Sequence, residues 1–228
     1  MDAIIVDVDG TLVDSNYLHT IAWQRALRTH GHEIPAWRIH RHIGMGGDKI
    51  IDAVAGEAVE RECGDAVRAS EAELFMEVIG EVAPLPGARQ LLDALRARGC
   101  RIVLASSAKA HEVEHYLDLL DAREVVDYWT TSADVACTKP DPDLLQTAME
   151  KAGSDRALMI GNSVWDCYAA ASAGVPTVGL LSGGYSAGEL YDAGARSVYR
   201  DAEELAERLD HALTASEEPA AAPQVGGG

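Results

Sequence analysis

A short β-branched run, Ala3 to Val8, opens the pattern and reads as a buried strand. The period then changes. In NYLHTIAWQRALRTHG, Leu18, Ile21, Ala22 and Leu27 stand at helical spacing, and Gly31 marks the stop. Helical patterning continues through DKIIDAVAGEAVERE and GDAVRASEAELFMEVIG to about Gly80, without a convincing strand. APLPGA, residues 83–88, breaks it, and Pro86 suits a first helical position. Beyond that point strands and helices alternate. Helix 88–98 is followed by strand RIVLAS and helix 111–120, then by strand VVDYW and helix 143–152. Strand ALMIG, helix 164–173, strand PTVGLL, helix 186–193, strand RSVYR and helix 202–213 complete the pattern.

Alternation of this kind builds βα units and a parallel sheet. Right-handed crossovers place helices on both faces. The predicted fold class is therefore α/β, with a Rossmann-like open parallel sheet interrupted by a helical insert. Residues 1–14 and 83–215 are expected to form the α/β core, and 15–82 the insert. The last stretch, 216–228, SEEPAAAPQVGGG, has the composition of a disordered tail.

Composition narrows the function. The 228 residues are 47% hydrophobic, enough for a substantial core, and carry a formal charge of −18. No basic stripe is visible, which argues against nucleic acid as a partner. No segment approaches the roughly 18 consecutive apolar residues of a membrane span, and MDAIIVDVDG lacks the basic and long apolar regions of a secretory leader. Cys63, Cys100, Cys137 and Cys167 are widely spaced and form no C-x-x-C, so free thiols and a cytoplasmic location are expected.

Ligands of open α/β sheets sit outside the carboxyl ends of the strands. Four such ends are polar here: DVDGTLVD after the first strand, SSAK after 102–105, a loop with CTKPD, and GNSVWD after 157–160. Asp7 and Asp9 are two apart on a strand, so both carboxylates can point into one crevice. Gly10 permits a tight turn, and Thr11 with the following backbone N–H groups can bind an anion. Two clustered carboxylates repel, which suits one ionised nucleophile and one protonated acid/base.

D-x-D-G-T after an N-terminal strand resembles the haloacid dehalogenase superfamily, in particular its helical-cap phosphatase branch. The later motifs follow in order: Ser106 at a strand end, Lys139 before Pro140, and Gly161 to Asp166. The resemblance implies a magnesium-dependent phosphatase acting on a small phosphate ester, with Asp7 as nucleophile forming an aspartyl-phosphate. It makes Asp9 the acid/base and its carbonyl a magnesium ligand. Ser106 and Ser107, with Gly10 and Thr11, would bind the phosphoryl group. Lys139 would offset the crowded negative charge of the site. Asp7, Asp9, Asn162 and Asp166 would hold Mg2+, although relatives usually read G-D-S-x-x-D where this chain has Asn162. Asn162 reads as a weaker metal ligand, a role compatible with capping the following helix, with an inactivating change as the alternative.

The insert would then be a cap that closes over the site and chooses the substrate. His19 and Trp23 lie one helical turn apart. His19 resembles the acid/base of phosphoglucomutase relatives, yet H-x-x-A-W also occurs in plain cap phosphatases as a packing pair. Gly46 and Gly47 in IGMGGDKI read as a substrate loop. Lys49 reads as a Schiff-base lysine, a substrate contact or a solvated helix residue. Alternatives at this point are a β-phosphoglucomutase-like mutase, a 2-haloacid dehalogenase, which would lack Asp9, and a phosphate-binding homologue that has lost catalysis. A monomer and a homodimer are equally compatible with the sequence.

Overall fold

The computed structural model describes residues 2–217. Six strands form one parallel sheet: β1 (Ala3–Val6), β2 (Arg101–Ala105), β3 (Tyr128–Thr130), β4 (Ala157–Gly161), β5 (Thr177–Leu180) and β6 (Ala195–Tyr199), in the order β3-β2-β1-β4-β5-β6. β1 is central, with Ile5 in register with Val103 on one side and Met159 on the other. The chain runs outward from β1 in both directions, so the carboxyl ends of β1, β2 and β4 surround the switch point at which a ligand crevice forms.

Alternation along the strands divides the core. Ile4, Val6, Ile102, Leu104, Leu158 and Ile160 face one side, against α5 (Ala88–Ala97), α6 (Ala110–Leu119), α10 (Ala202–Glu207) and α11 (Leu209–Glu217). Ala3, Ile5, Val103, Ala157 and Met159 face the other, against α7 (Asp143–Ala152) and α8 (Val164–Ala173). Both faces of the sheet are covered, as an all-parallel sheet requires. α9 (Ala187–Asp192) packs Leu190 with Cys167 and Tyr185 at the β6 side.

Between β1 and α5 lie α1 (Asn16–Thr29), α2 (Ala36–His40), α3 (Gly47–Ala55) and α4 (Glu57–Met76). They share their own apolar cluster, including Trp23, Leu27, Ile39, Ile50, Ile51, Val54 and Val67. The chain enters and leaves this layer side by side, with Asp14 N–H donating to Ala83 O at 2.9 Å and Leu85 N–H to Leu12 O at 2.9 Å.

Three element boundaries differ from the sequence expectation. The helical break falls at Gly56, where φ is +93°, and α4 runs through Gly64. The predicted helix 202–213 divides at Arg208, and its second half continues to Glu217 with Ser216 buried. Ser216 and Glu217 are thus helical, and the remainder of the expected tail lies outside the described residues. β3 is shorter than VVDYW, because Val125 and Val126 pack into the core ahead of the strand. No helix among the described residues is long and apolar enough to cross a membrane.

Candidate active site

Asp7 extends the β1 ladder, its N–H donating to Ile160 O at 2.9 Å, and its carboxylate is buried. The chain then turns sharply. Gly10 takes φ +79°, and the N–H groups of Thr11, Leu12 and Val13 all converge on Val8 O at 3.2, 2.9 and 3.1 Å. Gly10 N–H is also taken, by Val13 O at 2.8 Å. The amides of Gly10 and Thr11, expected at the phosphate, close this turn instead of facing the cavity. The Thr11 hydroxyl lies 3.2 Å from Asp7 Oδ2 and 2.9 Å from the Asn162 amide.

Lys139 reaches into this site from the loop before α7. Its ammonium is buried between Asp7 Oδ1 at 2.6 Å and Asp166 Oδ1 at 2.8 Å. Burial alone would lower its pKa, but the two carboxylates more than offset that and hold it above the ordinary lysine value. Asp166 Oδ2 accepts from Ser163 N–H at 3.0 Å and Ser163 Oγ at 2.6 Å, while Ser163 Oγ accepts from Asp166 N–H at 3.3 Å, which starts α8 with a capping box. Asp166, expected among the metal ligands, thus spends both oxygens on Lys139 and the helix start. Gly161 makes room for it, since a Cβ there would meet Asp166 Cβ at 2.6 Å.

Their surroundings shift the two aspartates in opposite directions. Burial, with Asp166 and Asp9 nearby, pushes Asp7 up to about 7 against the pull of Lys139. For Asp9 burial also acts upward, yet it is held below the ordinary carboxylate value by His19 and by Ser15, whose hydroxyl donates at 2.6 Å. His19 Nε2 lies 3.5 Å from Asp9 Oδ1, and Nδ1 lies 3.0 Å from Glu71 Oε1 on α4. Burial would lower His19, but these two carboxylates push it up to about 10, and the ring stacks on Phe75 at 3.7 Å. These surroundings favour a proton on His19 over one on Asp9.

The Asn162 amide closes the site beneath Asp7. One end points at Asp7 Oδ2 (3.0 Å), Asp9 C=O (3.1 Å) and Thr11 Oγ1 (2.9 Å), and the other lies 3.0 Å from Asn16 Nδ2. With NH2 inward, Asn162 donates to the first group and its oxygen accepts from Asn16. With oxygen inward, a carboxylate, a carbonyl and an amide oxygen converge, which is the hard-oxygen donor set of a small divalent cation. The residues therefore fit such a cation, provided the amide presents its oxygen. Among the described residues no group of three or more His, Cys, Asp or Glu is arranged to hold a metal. The candidate set is instead built from one carboxylate and two neutral oxygens.

Above these groups is a cavity of about 300 Å3, lined by Asp7, Asp9, Lys139, His19, Gly47 and Ser107 among others. Ser107 Oγ is buried there without a partner, whereas Ser106 Oγ accepts from Ala108 N–H at 3.0 Å and Ser106 does not line the cavity. Gly46 is pressed against the core: its N–H reaches Lys139 O at 3.4 Å, and a Cβ would overlap Thr138. Lys49 stands outside the cavity, paired with Asp141 at 2.9 Å, where it joins the insert to the core. Asp48 accepts from the Thr138 hydroxyl beside it.

On the opposite flank Arg41 O accepts from Trp165 Nε1 at 3.2 Å and Tyr185 Oη at 2.6 Å. The sequence reading missed Glu71, Glu112, Arg68 and Lys109, which also line the cavity. Only Lys109, in the SSAK strand-end loop, carried a sequence signal. The other three sit on unremarkable helical faces.

The model of haloacid dehalogenase-like hydrolases matches residues 1–174. A phosphoglycolate phosphatase from Pseudomonas putida is 32% identical over 209 residues, 87% of this chain and 75% of that protein. One from Escherichia coli K12 is 31% identical over 215 residues, 83% of this chain and 84% of that protein. The crystal structure of a hydrolase from Pseudomonas syringae superposes with a TM-score of 0.87 at 36% identity, covering 92% of this chain and 99% of that one. A β-phosphoglucomutase from Clostridium difficile, at 19% identity and a TM-score of 0.81 over 94% of this chain and 97% of that one, shares the fold.

Proposed function

The chain belongs to the haloacid dehalogenase-like hydrolases, and from that premise we propose that this phosphatase hydrolyses a small phosphate monoester with magnesium, through an aspartyl-phosphate on Asp7. Phosphatase activity is the common ground with the phosphoglycolate phosphatases it is similar to, and hydrolases of this kind generally use a divalent metal. The observation that carries the reading is Lys139, buried between Asp7 and Asp166 under a cavity that Asp7 and Asp9 both line. That arrangement aims one carboxylate at a bound phosphoryl group and keeps a cation beside the oxygens that gain charge.

In this scheme Asp7 attacks phosphorus, the bond from phosphorus to the ester oxygen breaks, and the departing alkoxide takes a proton through Asp9. His19 stores that proton at Nε2, 3.5 Å from Asp9 Oδ1. Water then attacks phosphorus and yields its proton to the Asp9–His19 pair. The bond between Asp7 and phosphorus breaks, and phosphate leaves. Asp7 Oδ2, the Asp9 carbonyl and the Asn162 amide oxygen would hold the magnesium ion. When bound, it supplies positive charge to the phosphoryl oxygens and keeps Asp7 ionised. Ser107, with its unpartnered hydroxyl, is the donor for a phosphoryl oxygen.

Residues 15–82 act as the cap. Polar pins join this layer to the core: Lys49–Asp141, Asp48–Thr138 and the two donors on Arg41 O. Pins of this kind are individually modest and suit a layer that separates to admit substrate. Lys109 lines the cavity with no carboxylate ion-paired to it among the described residues, which favours an acidic ester such as phosphoglycolate.

The test is phosphate release from a panel of small esters with magnesium, phosphoglycolate included, with chloride release from a 2-haloacid as control. Phosphate release that Asp7→Asn lowers more than about a hundredfold supports the reading. No release from any ester, or chloride release instead, overturns it.

A further inference from the structure

The Asn162 amide is enclosed on every side the structure records. A Cβ at Gly10 or at Gly183 would overlap its Nδ2 end, and Asn16, itself buried, faces that same end at 3.0 Å. Two facts about this enclosure point the same way. Both ends of the Asn162 amide meet complementary partners only with NH2 inward, on Asp7 Oδ2 and the Asp9 carbonyl, and oxygen outward on the Asn16 NH2. Meanwhile Asn16 Oδ1 is buried with no partner, so Asn16 can turn over without giving up a bond that Oδ1 makes.

The inward distances matter as well. Adjacent oxygens round an octahedral ion with ligands at about 2.0–2.1 Å lie about 3 Å apart. The inward end of Asn162 is 3.0 Å from Asp7 Oδ2 and 3.1 Å from Asp9 O. The amide thus already stands at a ligand's distance from the other two donors, and what is missing is its orientation. With oxygen inward, the outer NH2 would face the NH2 of Asn16 unless that amide turned too.

We propose that Asn16 and Asn162 form a coupled amide switch: without a cation the Asn162 NH2 serves Asp7 and the Asp9 carbonyl, and cation binding turns both amides by half a turn, Asn16 changing from donor to acceptor. The inference rests on the metal reading above and goes beyond it. Asn16 becomes a positioning residue for the metal, acting through Asn162.

The test needs no turnover. In the full chain with 15N-labelled asparagine, the Asn162 side-chain NH2 protons should show NOEs to Thr11 in metal-stripped protein. On addition of MgCl2 those should be replaced by NOEs to the α-protons of Gly10 and Gly183. Backbone amide shifts of Asp7 and Asp9 report separately whether magnesium binds. Asn16→Asp, which can only accept, should place the NH2 beside Gly10 and Gly183 even before magnesium is added. Shifts at Asp7 and Asp9 with unchanged Asn162 NOEs would overturn the switch and leave the metal site standing. No shifts at saturating magnesium would remove both. An Asn16→Asp protein whose metal-free NOEs still run to Thr11 would overturn the role given to Asn16.

Discussion

Gly46→Ala tests the fit between the inserted helical layer and the core, where an added Cβ would meet the Thr138 side chain. Gly46 does not have a positive φ, so alanine brings no backbone strain, and the effect is purely one of contact. The new Cβ would overlap the Thr138 side chain and lie 2.6 Å from Asp48 Oδ1. Ordinary contact needs about 3.5 Å, so the loop must retreat by about 1 Å or more. The core cannot yield easily. Thr138 precedes Lys139, whose ammonium is fixed by two buried carboxylates at 2.6 and 2.8 Å, and breaking such a pair costs about 3–5 kcal/mol. The cap loop therefore moves, giving up the Asp48–Thr138 hydrogen bond at about 1 kcal/mol. A misplacement of that size at an active site lowers turnover by roughly a hundredfold. Steady-state kinetics should show that loss in kcat/KM, while the urea midpoint falls only slightly. Thr138→Gly, which removes the overlapped atoms, should restore most of the loss in the double variant, a coupling read by a double-mutant cycle. A Gly46→Ala enzyme within threefold of the parent, or no recovery on adding Thr138→Gly, would refute the reasoning.

Lys139→Met leaves Asp7 and Asp166 facing each other without their cation; urea unfolding at pH 7 should show a loss of about 3 kcal/mol or more, smaller at pH 5 where Asp7 is protonated, and a loss under 1 kcal/mol would contradict it. Asn162→Asp should tighten magnesium binding at least about tenfold by calorimetry, because a full charge replaces an amide dipole; an unchanged affinity would remove Asn162 from the ligand set. His19 is raised from 6.5 to about 10, so its stabilising proton is fully present below pH 6.5 and is lost as pH rises through 10. Between pH 6.5 and 10 the parent should therefore lose on the order of 4 kcal/mol more than His19→Gln, read from urea midpoints, and parallel pH profiles would count against that brace.

The sheet was legible because each strand and helix declares itself locally. That Asp7, Asp9 and Lys139 share one cavity was legible from their motifs, two of them at the end of β1 and one in the loop before α7. What escaped depends on how the insert docks. Glu71 is 52 residues from His19 in sequence yet bonds it, and no periodicity in α4 singles it out. Lys49 looked like a ligand because of its glycine-rich context, but Asp141 waits for it across the seam. Ser106 and Ser107 could not be told apart by type. The strand end turns one hydroxyl onto Ala108 N–H and leaves the other in the cavity. Gly64 sits within α4 beside the Glu60 side chain, while Gly56 carries the positive φ that separates α3 from α4.

The central place of β1 has a consequence for synthesis. Its four residues, all fully buried in the finished sheet, leave the ribosome before those of any other strand of the sheet. Their partner on one side ends at Ala105 and on the other at Gly161. At about 5–20 residues per second, the first partner arrives roughly 5–20 s after β1, and the second several seconds later. During that wait an apolar strand has both edges open, the condition that invites pairing with another chain. The nascent protein is thus most exposed to aggregation at the strand that ends up deepest inside it.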